Sequence, residues 1–530
     1  MEKSNYWNDI LSRRIGRRSV LKGAIALAGL GLVACAPAAG PGAPAGKALT
    51  KLTFASPDEN GNLDTHLDTG GAGGIVYPNI YDALTYRAKN NSPTLTPQLA
   101  LSWEAPDATT WIFKLRKGVT FHNGEPFNAQ VVKFNLERLK DPESKSRWVS
   151  EYAGISQVEV VDDYTVKVVS KNPDPLLINK LPGSRIVAMK IIQEKGQNAL
   201  AANPIGTGPY QFVQWKKDDF QEYKANESYW RVKPHIGTFI YRPIPEEVSR
   251  GAAVKSGQAD LTYALSVDSE AELKREPNIG MSKAPSNSLS HFGFGYLEDS
   301  PLKDKRVRQA INYAVNWDSI IKNLFLGNAV KMPSAVPATF GGANPNQKPY
   351  PYDLKKAKDL LAAAGYSKGF EMDFNYHADF AKAKELFQAV QSDLQTVGIK
   401  TNFKVFKDSA YQREQFTAKK GPLGITYFGR VGRMLHAYEI VARNLHSKGS
   451  SNYFSYSNPD MDRLIDKATI ATSVEAAQKA WAETLDFAKE EAVWLFGFQE
   501  VDIYAFDKRK LSIDASEAKW TQWMLNVKVV

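Results

Sequence analysis

At 530 residues the chain is too long for one compact core, so two or three domains are expected. Hydrophobic residues at 43%, aromatics at 11% and charged residues at 23% describe an ordinary globular protein and argue against intrinsic disorder and a multi-span membrane protein. The formal charge of +10 is modest at this length, and +4 of it falls in the first 34 residues; no dense basic cluster interleaved with aromatics follows, which argues against nucleic acid as a partner.

The N-terminus reads as an address. Residues 13–35, "RRIGRRSVLKGAIALAGLGLVAC", set paired arginines before Ala24–Ala34, an apolar stretch too short to span a membrane. "RRSVLK" resembles the twin-arginine export signal, with Val20 where Phe is commoner; the general secretion route could also use such a leader. "LVAC" resembles a lipobox, in which the cysteine receives a diacylglycerol and becomes the new N-terminus. Cys35 is the only cysteine, and this order of features favours a lipid anchor over a buried core thiol. "APAAGPGAPAGKALT" follows as a Pro/Ala/Gly tether. The expected location is extracytoplasmic, and the mature fold has no disulfide.

"KALTKLTFAS" then opens the folded part as a strand, and "DENGNLDTHLDTGGAGG" is a Gly/Asp loop. The spacing of Ile80, Ala83 and Leu84 predicts a helix over Val76–Arg87. Trp111, Phe113 and Leu115 alternate along a strand, a turn falls at Asn123-Gly124, and a helix starts near Asn128 as N-cap. A hairpin is expected to turn at Asp162-Asp163. "GTGPY" (Gly206–Tyr210) lacks the third glycine of a dinucleotide loop and reads as a tight turn. Val307, Ala310, Ile311, Ala314 and Val315 mark a helix packed on a core. Residues 370–406 give the clearest unit, a strand through Phe370, Met372, Phe374 and Tyr376, a helix closed by Gly398, and a strand through Ile399, Thr401, Phe403 and Val405. Short joins make this a βαβ crossover, and the fold class α/β.

Motifs for chemistry are missing. The seven histidines form no HExxH or zinc pattern, and there is no GxSxG elbow, SxxK or Walker loop. With the lone cysteine assigned to lipid, thiol catalysis is closed. No cofactor, metal or catalytic residue is expected, although acid–base carboxylates need no local motif.

Four segments in order resemble the extracytoplasmic solute-binding proteins of peptide and nickel ABC importers, solute-binding family 5. They are "LTPQLALSWEAPDATTWIFKLRKGVTFHNGEPFNAQVVKFNLERL" (Leu95–Leu139), "NPIGTGPYQFVQW" (Asn203–Trp215), "SPLKDKRVRQAINYAVNWDSII" (Ser300–Ile321) and "NYFSYSNPDMDRLIDKA" (Asn452–Ala468). The first is the most specific, with Asn123 where the family usually has Asp and Gln130-Val131 where it often has Glu-Asp.

The resemblance implies a two-lobed periplasmic-binding-protein fold of type II, the Venus-flytrap arrangement, with an extra domain inserted in the first lobe. The expected division is leader 1–35, tether 36–48, first lobe 49–92, insert 93–203, first lobe again 204–288, second lobe 289–504 and a first-lobe return 505–530. It also implies a receptor rather than an enzyme. A monomer would close on a peptide or other small solute, and ABC permease subunits with their ATPases would take the cargo.

Ligand candidates come from the family's contact regions. Asp68, Gly73 and Gly74 follow the first strand; His291, Phe292 and Phe294 lie at one crossing between lobes, and Phe496 and Phe498 near the return crossing. Peptide binders of the family hold the ligand amine with an Asp in the region matching "GITYFGRVGRMLHAYE" (Gly424–Glu439). Here that stretch has no Asp; Tyr427 and Phe428 precede Arg430, with Arg433 three residues on. A guanidinium in that place would attract an anion, and Asp68 could take an amine instead. Alternatively both arginines are solvated or bridge to Glu439 or Asp460. His436 would matter only for a nickel chelate. An exported hydrolase and an envelope interaction or chaperone-like protein are the competing readings.

Overall fold

The computed structural model describes residues 48–68, 73–87, 89, 92–296, 300–377, 382–417, 424–517 and 523–530. The leader, its twin-arginine motif, Cys35 and nearly all of the tether lie outside them. No described helix is long and apolar enough to cross a membrane.

Strand β1 (Leu49–Ser56) carries Leu52, Phe54 and Ala55 into a core, and helix α1 (Gly73–Ile80) packs beside it. The helix stops well short of the predicted Arg87. Asp82 is drawn inward to accept hydrogen bonds from Gln98, Thr207, Tyr229 and Trp230, and Thr85-Tyr86 leave as a short strand against Thr96-Pro97. Strands β2 (Ala100–Glu104), β3 (Thr110–Leu115), β4 (Ile155–Asp162) and β5 (Thr165–Ser170) form an antiparallel sheet in the order β2-β3-β5-β4. Helix α2 (Ala129–Lys140) covers it, its first turn capped by Asn128, whose Oδ1 accepts from Val131 N at 3.1 Å. Trp111, Phe113, Val132, Leu136 and Val166 share this sheet's separate core.

A larger sheet runs through the rest of the molecule. Its strands are β1, β6 (Tyr210–Lys216), β7 (Phe220–Ala225), β8 (Ile236–Pro243), β9 (Leu261–Thr262), β10 (Ile279–Phe294), β11 (Ala329–Lys331), β12 (Phe370–His377), β13 (Ile399–Phe406), β14 (Ile425–Val431) and β15 (Trp494–Asp507). The order is β13-β12-β14-β10-β15-β9-β1-β8-β7-β6, with β11 also on β15. The βαβ unit is present: β12 and β13 pair in parallel from Phe370↔Ile399 to His377↔Phe406, joined by helix α3 (Ala383–Gln395).

The "GTGPY" glycines serve close approach. A Cβ on Gly206 would sit 2.1 Å from the Ile80 carbonyl oxygen, so no other residue fits against the end of α1.

The long strands β10 and β15 link two sets of cores. Their far ends pair Ile279↔Asp507 to Pro285↔Val501 beside the first-lobe core around Phe54, Tyr241 and Tyr504. The register breaks between Pro285 and Leu289, and β10 then pairs with β14 from Ser288↔Val431 to Phe294↔Ile425. There one face of the sheet packs on Phe374, Phe387 and Trp317, the other on Trp481, Ile440 and Phe454.

Candidate ligand cleft

A buried ionic network lies near the end of α2. Arg138, at the end of α2, holds Asp64 through Nη2–Oδ2 at 2.7 Å and Nη1–Oδ1 at 3.3 Å, and its Nε and Nη2 also donate to Gln197. Arg138 Nη1 lies 3.0 Å from His66 Nδ1, which leaves His66 Nε2–H to donate to the Arg185 carbonyl at 2.7 Å. Burial, then the Arg138 charge, lowers the His66 pKa to about 4. This network is fully engaged and serves structure.

Four and nine residues further on, the same two segments treat their charges differently. Asp68 is buried, yet its Oδ2 accepts no hydrogen bond. Arg147 stands beside it and donates Nη1 to the Asp68 backbone carbonyl at 2.6 Å rather than to the carboxylate. Its guanidinium lies 4.7 Å from the Trp148 ring, and its buried Nε has no partner. Burial, then the like charge of Arg433, holds the Arg147 pKa below its ordinary value, with Asp68 acting the other way.

Arg433 reaches this place from the second lobe. It follows β14 in a loop fixed on both sides: Gly432 N donates to Asn287 O at 2.9 Å, and Met434 N to Glu439 Oε2 at 2.8 Å. Arg87 of the first lobe donates Nη2 to Met434 O at 2.6 Å. Arg443, on helix α4 (Ala437–Leu445), pairs with Glu151 of the insert at 2.6 Å. Two contacts near Arg433 thus tie the segment after β14 to residues 87 and 151, while the Arg433 side chain is exposed and, among the described residues, in no ion pair. Asp460 pairs with Arg463 instead.

The other sequence candidates are distributed as follows. His291 and Phe292 pair in register with Phe428 and Tyr427, so the two predicted blocks are neighbouring strands. His291 stacks between Phe428 and Trp494, with centroids at 5.6 and 4.7 Å. Phe292, Phe294, Phe498 and Tyr427 belong to the core around Trp317 and Phe387, and Phe428 and Phe496 to the core on the opposite face. Gly73 and Gly74 open α1, where a Cβ on Gly73 would strike the Tyr77 ring. The Arg430 backbone pairs with Leu289; its side chain lies outside the described parts. His436 caps α4, its Nδ1 accepting from Tyr438 N, and burial lowers its pKa to about 3.

Among the described residues no group of His, Cys, Asp or Glu could hold a metal. Sequence reasoning missed Arg87, Arg147, Glu151 and Arg443. None belongs to a local motif, and only the fold joins them to the cleft.

Comparison with known proteins gives a consistent outcome. Residues 94–452 match the family model described as bacterial extracellular solute-binding proteins, family 5 Middle. Heme-binding protein A of Haemophilus influenzae is 29% identical over 446 residues, which cover 78% of this chain and 81% of that protein. Glutathione-binding protein GsiB of Pectobacterium atrosepticum is 29% identical, over 74% of this chain and 77% of its own. Among solved structures, AgaA of A. tumefaciens R10 in complex with agropinic acid has a TM-score of 0.71 at 26% identity, covering 91% of this chain and 99% of AgaA.

Proposed function

Because the chain belongs to the bacterial extracellular solute-binding proteins, family 5, we propose that it is the lipid-anchored solute receptor of an ABC importer, closing its lobes on a peptide or related polar, anionic solute. The fold is the two-lobed periplasmic-binding-protein fold with an inserted domain. The observation that carries this reading is the ionic tie of Arg443 to Glu151 across the cleft, beside the unpaired charges of Asp68, Arg147 and Arg433. Closure removes water from those charges and strengthens any contact that a solute makes with them. It also creates the shape that a permease reads, so ligand shifts an open–closed equilibrium. No bond is made or broken in this role, and transport energy comes from separate ATPase subunits.

The anionic preference is supported by the arginines of the cleft and by relatives described as binding glutathione and agropinic acid. Lipid attachment is proposed at Cys35, with 1–35 as leader and 36–48 as tether. The insert is assigned to 93–203, the second lobe to 289–504, and the first lobe to 49–92, 204–288 and 505–530.

Native mass spectrometry of the purified protein, before and after mild denaturation, tests the receptor role. A small molecule released on unfolding is the expected result, and its mass separates peptide, sugar and acid. An empty protein that no solute pool stabilises against heat overturns the reading in favour of an envelope interaction protein.

A further inference from the structure

The end of the fold at which β1 begins carries a surface with no role in the cleft. Leu49 N donates to the His235 carbonyl at 2.9 Å, so the chain arriving from residue 48 runs beside the loop 230–235. Tyr229 and Trp230 fix one side of this loop by donating to Asp82 at 3.0 and 2.9 Å, and Pro234 is buried on the other. Between them Arg231, Val232 and Lys233 stand exposed, Val232 at 58%. The Arg231 guanidinium is held in place 4.7 Å from the Tyr86 ring and donates to its hydroxyl at 2.9 Å. His235 Nε2 also meets the Val527 carbonyl, which brings the paired strands Lys528–Val529 and Leu511–Ser512 to the same end. Lys51, Lys508 and Lys528 are exposed there and, among the described residues, in no ion pair. The carboxylates Glu227, Asp260 and Asp507 are already bound by Lys233, Lys510 and Arg509. Asp514 accepts from Ser516 N at 2.9 Å and has the Lys89 and Lys528 charges beside it.

We propose that this end docks on a bilayer surface of anionic headgroups, the same membrane that holds the diacylglycerol on Cys35. Arg231 and Lys233 meet the headgroup phosphates, Val232 enters the interface between them, and Lys51, Lys508 and Lys528 add charge around it. A single exposed valine is ordinary on a protein surface. One set between two cations, beside the strand that leads to the anchor, has the composition of an interfacial contact. The proposal rests on the lipid anchor of the receptor reading and adds to it a preferred pose.

The anchor makes a weak surface sufficient. Residues 36–48 span at most about 45 Å, so the lipid keeps the basic end within that distance of the bilayer. Contact then becomes an intramolecular event at high effective concentration, and a patch too weak to bind from solution is occupied. The pose also has a direction. β9 is parallel to β1 and antiparallel to β15, so β15 runs from Trp494, beyond the Ser56 end of β1, back toward the Leu49 end. The register break between Pro285 and Leu289 therefore lies past the end of β1 that points away from the bilayer. Docking leaves that joint and the strands beyond it clear of the membrane.

A site-specific probe tests this on the lipidated protein reconstituted in vesicles. Cys35 is the only cysteine and is taken by lipid, so Val232→Cys accepts one fluorophore at the loop. Val248→Cys is the control. It is 79% exposed on the helix Glu247–Ser256, which follows Ile244, whose N donates to Ser56 O at the opposite end of β1. Spin-labelled lipid quenches whichever probe touches the bilayer. In vesicles of phosphatidylglycerol and phosphatidylethanolamine, quenching at 232 is expected to exceed that at 248 by about threefold or more. High salt, phosphatidylcholine vesicles, or Lys51→Gln combined with Lys528→Gln should each remove about half of it or more, with the melting temperature of the variant unchanged. Equal quenching at the two positions, or quenching at 232 that ignores salt and lipid charge, overturns the docking while the protein stays in the vesicle fraction and the anchor stands. Protein that leaves the vesicles overturns the anchor and the docking together, and solute release on unfolding still judges the receptor role separately.

Discussion

Two Asp–Arg pairs built from the same two stretches of chain make the useful comparison. Asp64 and Arg138 form a doubly hydrogen-bonded pair whose side chains are 0% and 2% exposed, with every neighbouring donor and acceptor engaged. Asp68 and Arg147 follow four and nine residues later, equally opposite in charge, and stay unpaired. The first pair joins helix α2 to the loop that follows β1. The second leaves Asp68 Oδ2 and Arg147 Nε buried without hydrogen bonds. Burial of charge thus comes with complete pairing at one place in these segments and without it a few residues further on.

The largest expected effect breaks the lower pair. Arg138→Leu strands the Asp64 carboxylate without a partner and should cost about 3–5 kcal/mol. Arg147→Gln removes one hydrogen bond and a ring contact and should cost about 1 kcal/mol. Urea unfolding of the two variants checks this, and equal losses would erase the distinction drawn above.

Acid sharpens it next. The unfolded chain protonates His66 near its ordinary value of 6.5, whereas the folded site, buried beside Arg138, takes the proton only near about 4. The unfolded state therefore binds more protons between those values, and stability is full above pH 6.5 and lost as pH falls toward 4. On the order of 3 kcal/mol is lost at this site. His122, lowered to about 4 chiefly by burial, adds a loss of the same sign. Melting temperature against pH is the measurement; a flat profile across this window would show that His66 is not held neutral.

The smallest effect belongs to Asp68. Asp68→Asn removes a buried charge with an unsatisfied oxygen and should leave the stability of the empty protein within about 0.5 kcal/mol, or raise it slightly. Calorimetric unfolding without solute reads this directly. A loss comparable to that of Arg138→Leu would make Asp68 a structural residue.

Much of the scaffold was legible in local pattern. The Asn128 cap, the hairpin, whose turn falls at 163–164, one residue past the predicted pair, the helix over Lys305–Ala314 and the βαβ unit each rest on periodicity or turn chemistry within a few residues. The predicted helix over Val76–Arg87 is too long because Asp82 is pulled inward by partners up to 148 positions away, a tertiary demand that no window of sequence contains. The cleft is harder for the same reason. Arg433 was visible through resemblance, but Arg147 lies 79 residues from Asp68 and looks like any helix-flanking arginine. The unpaired state of both is a property of the fold alone.

The joint between the lobes has a mechanical consequence. β10 and β15 are tied by hydrogen bonds on each side of the break between Pro285 and Leu289, so sliding one strand past the other would rupture whole ladders. Such a coupling disfavours shear between the two halves of the sheet.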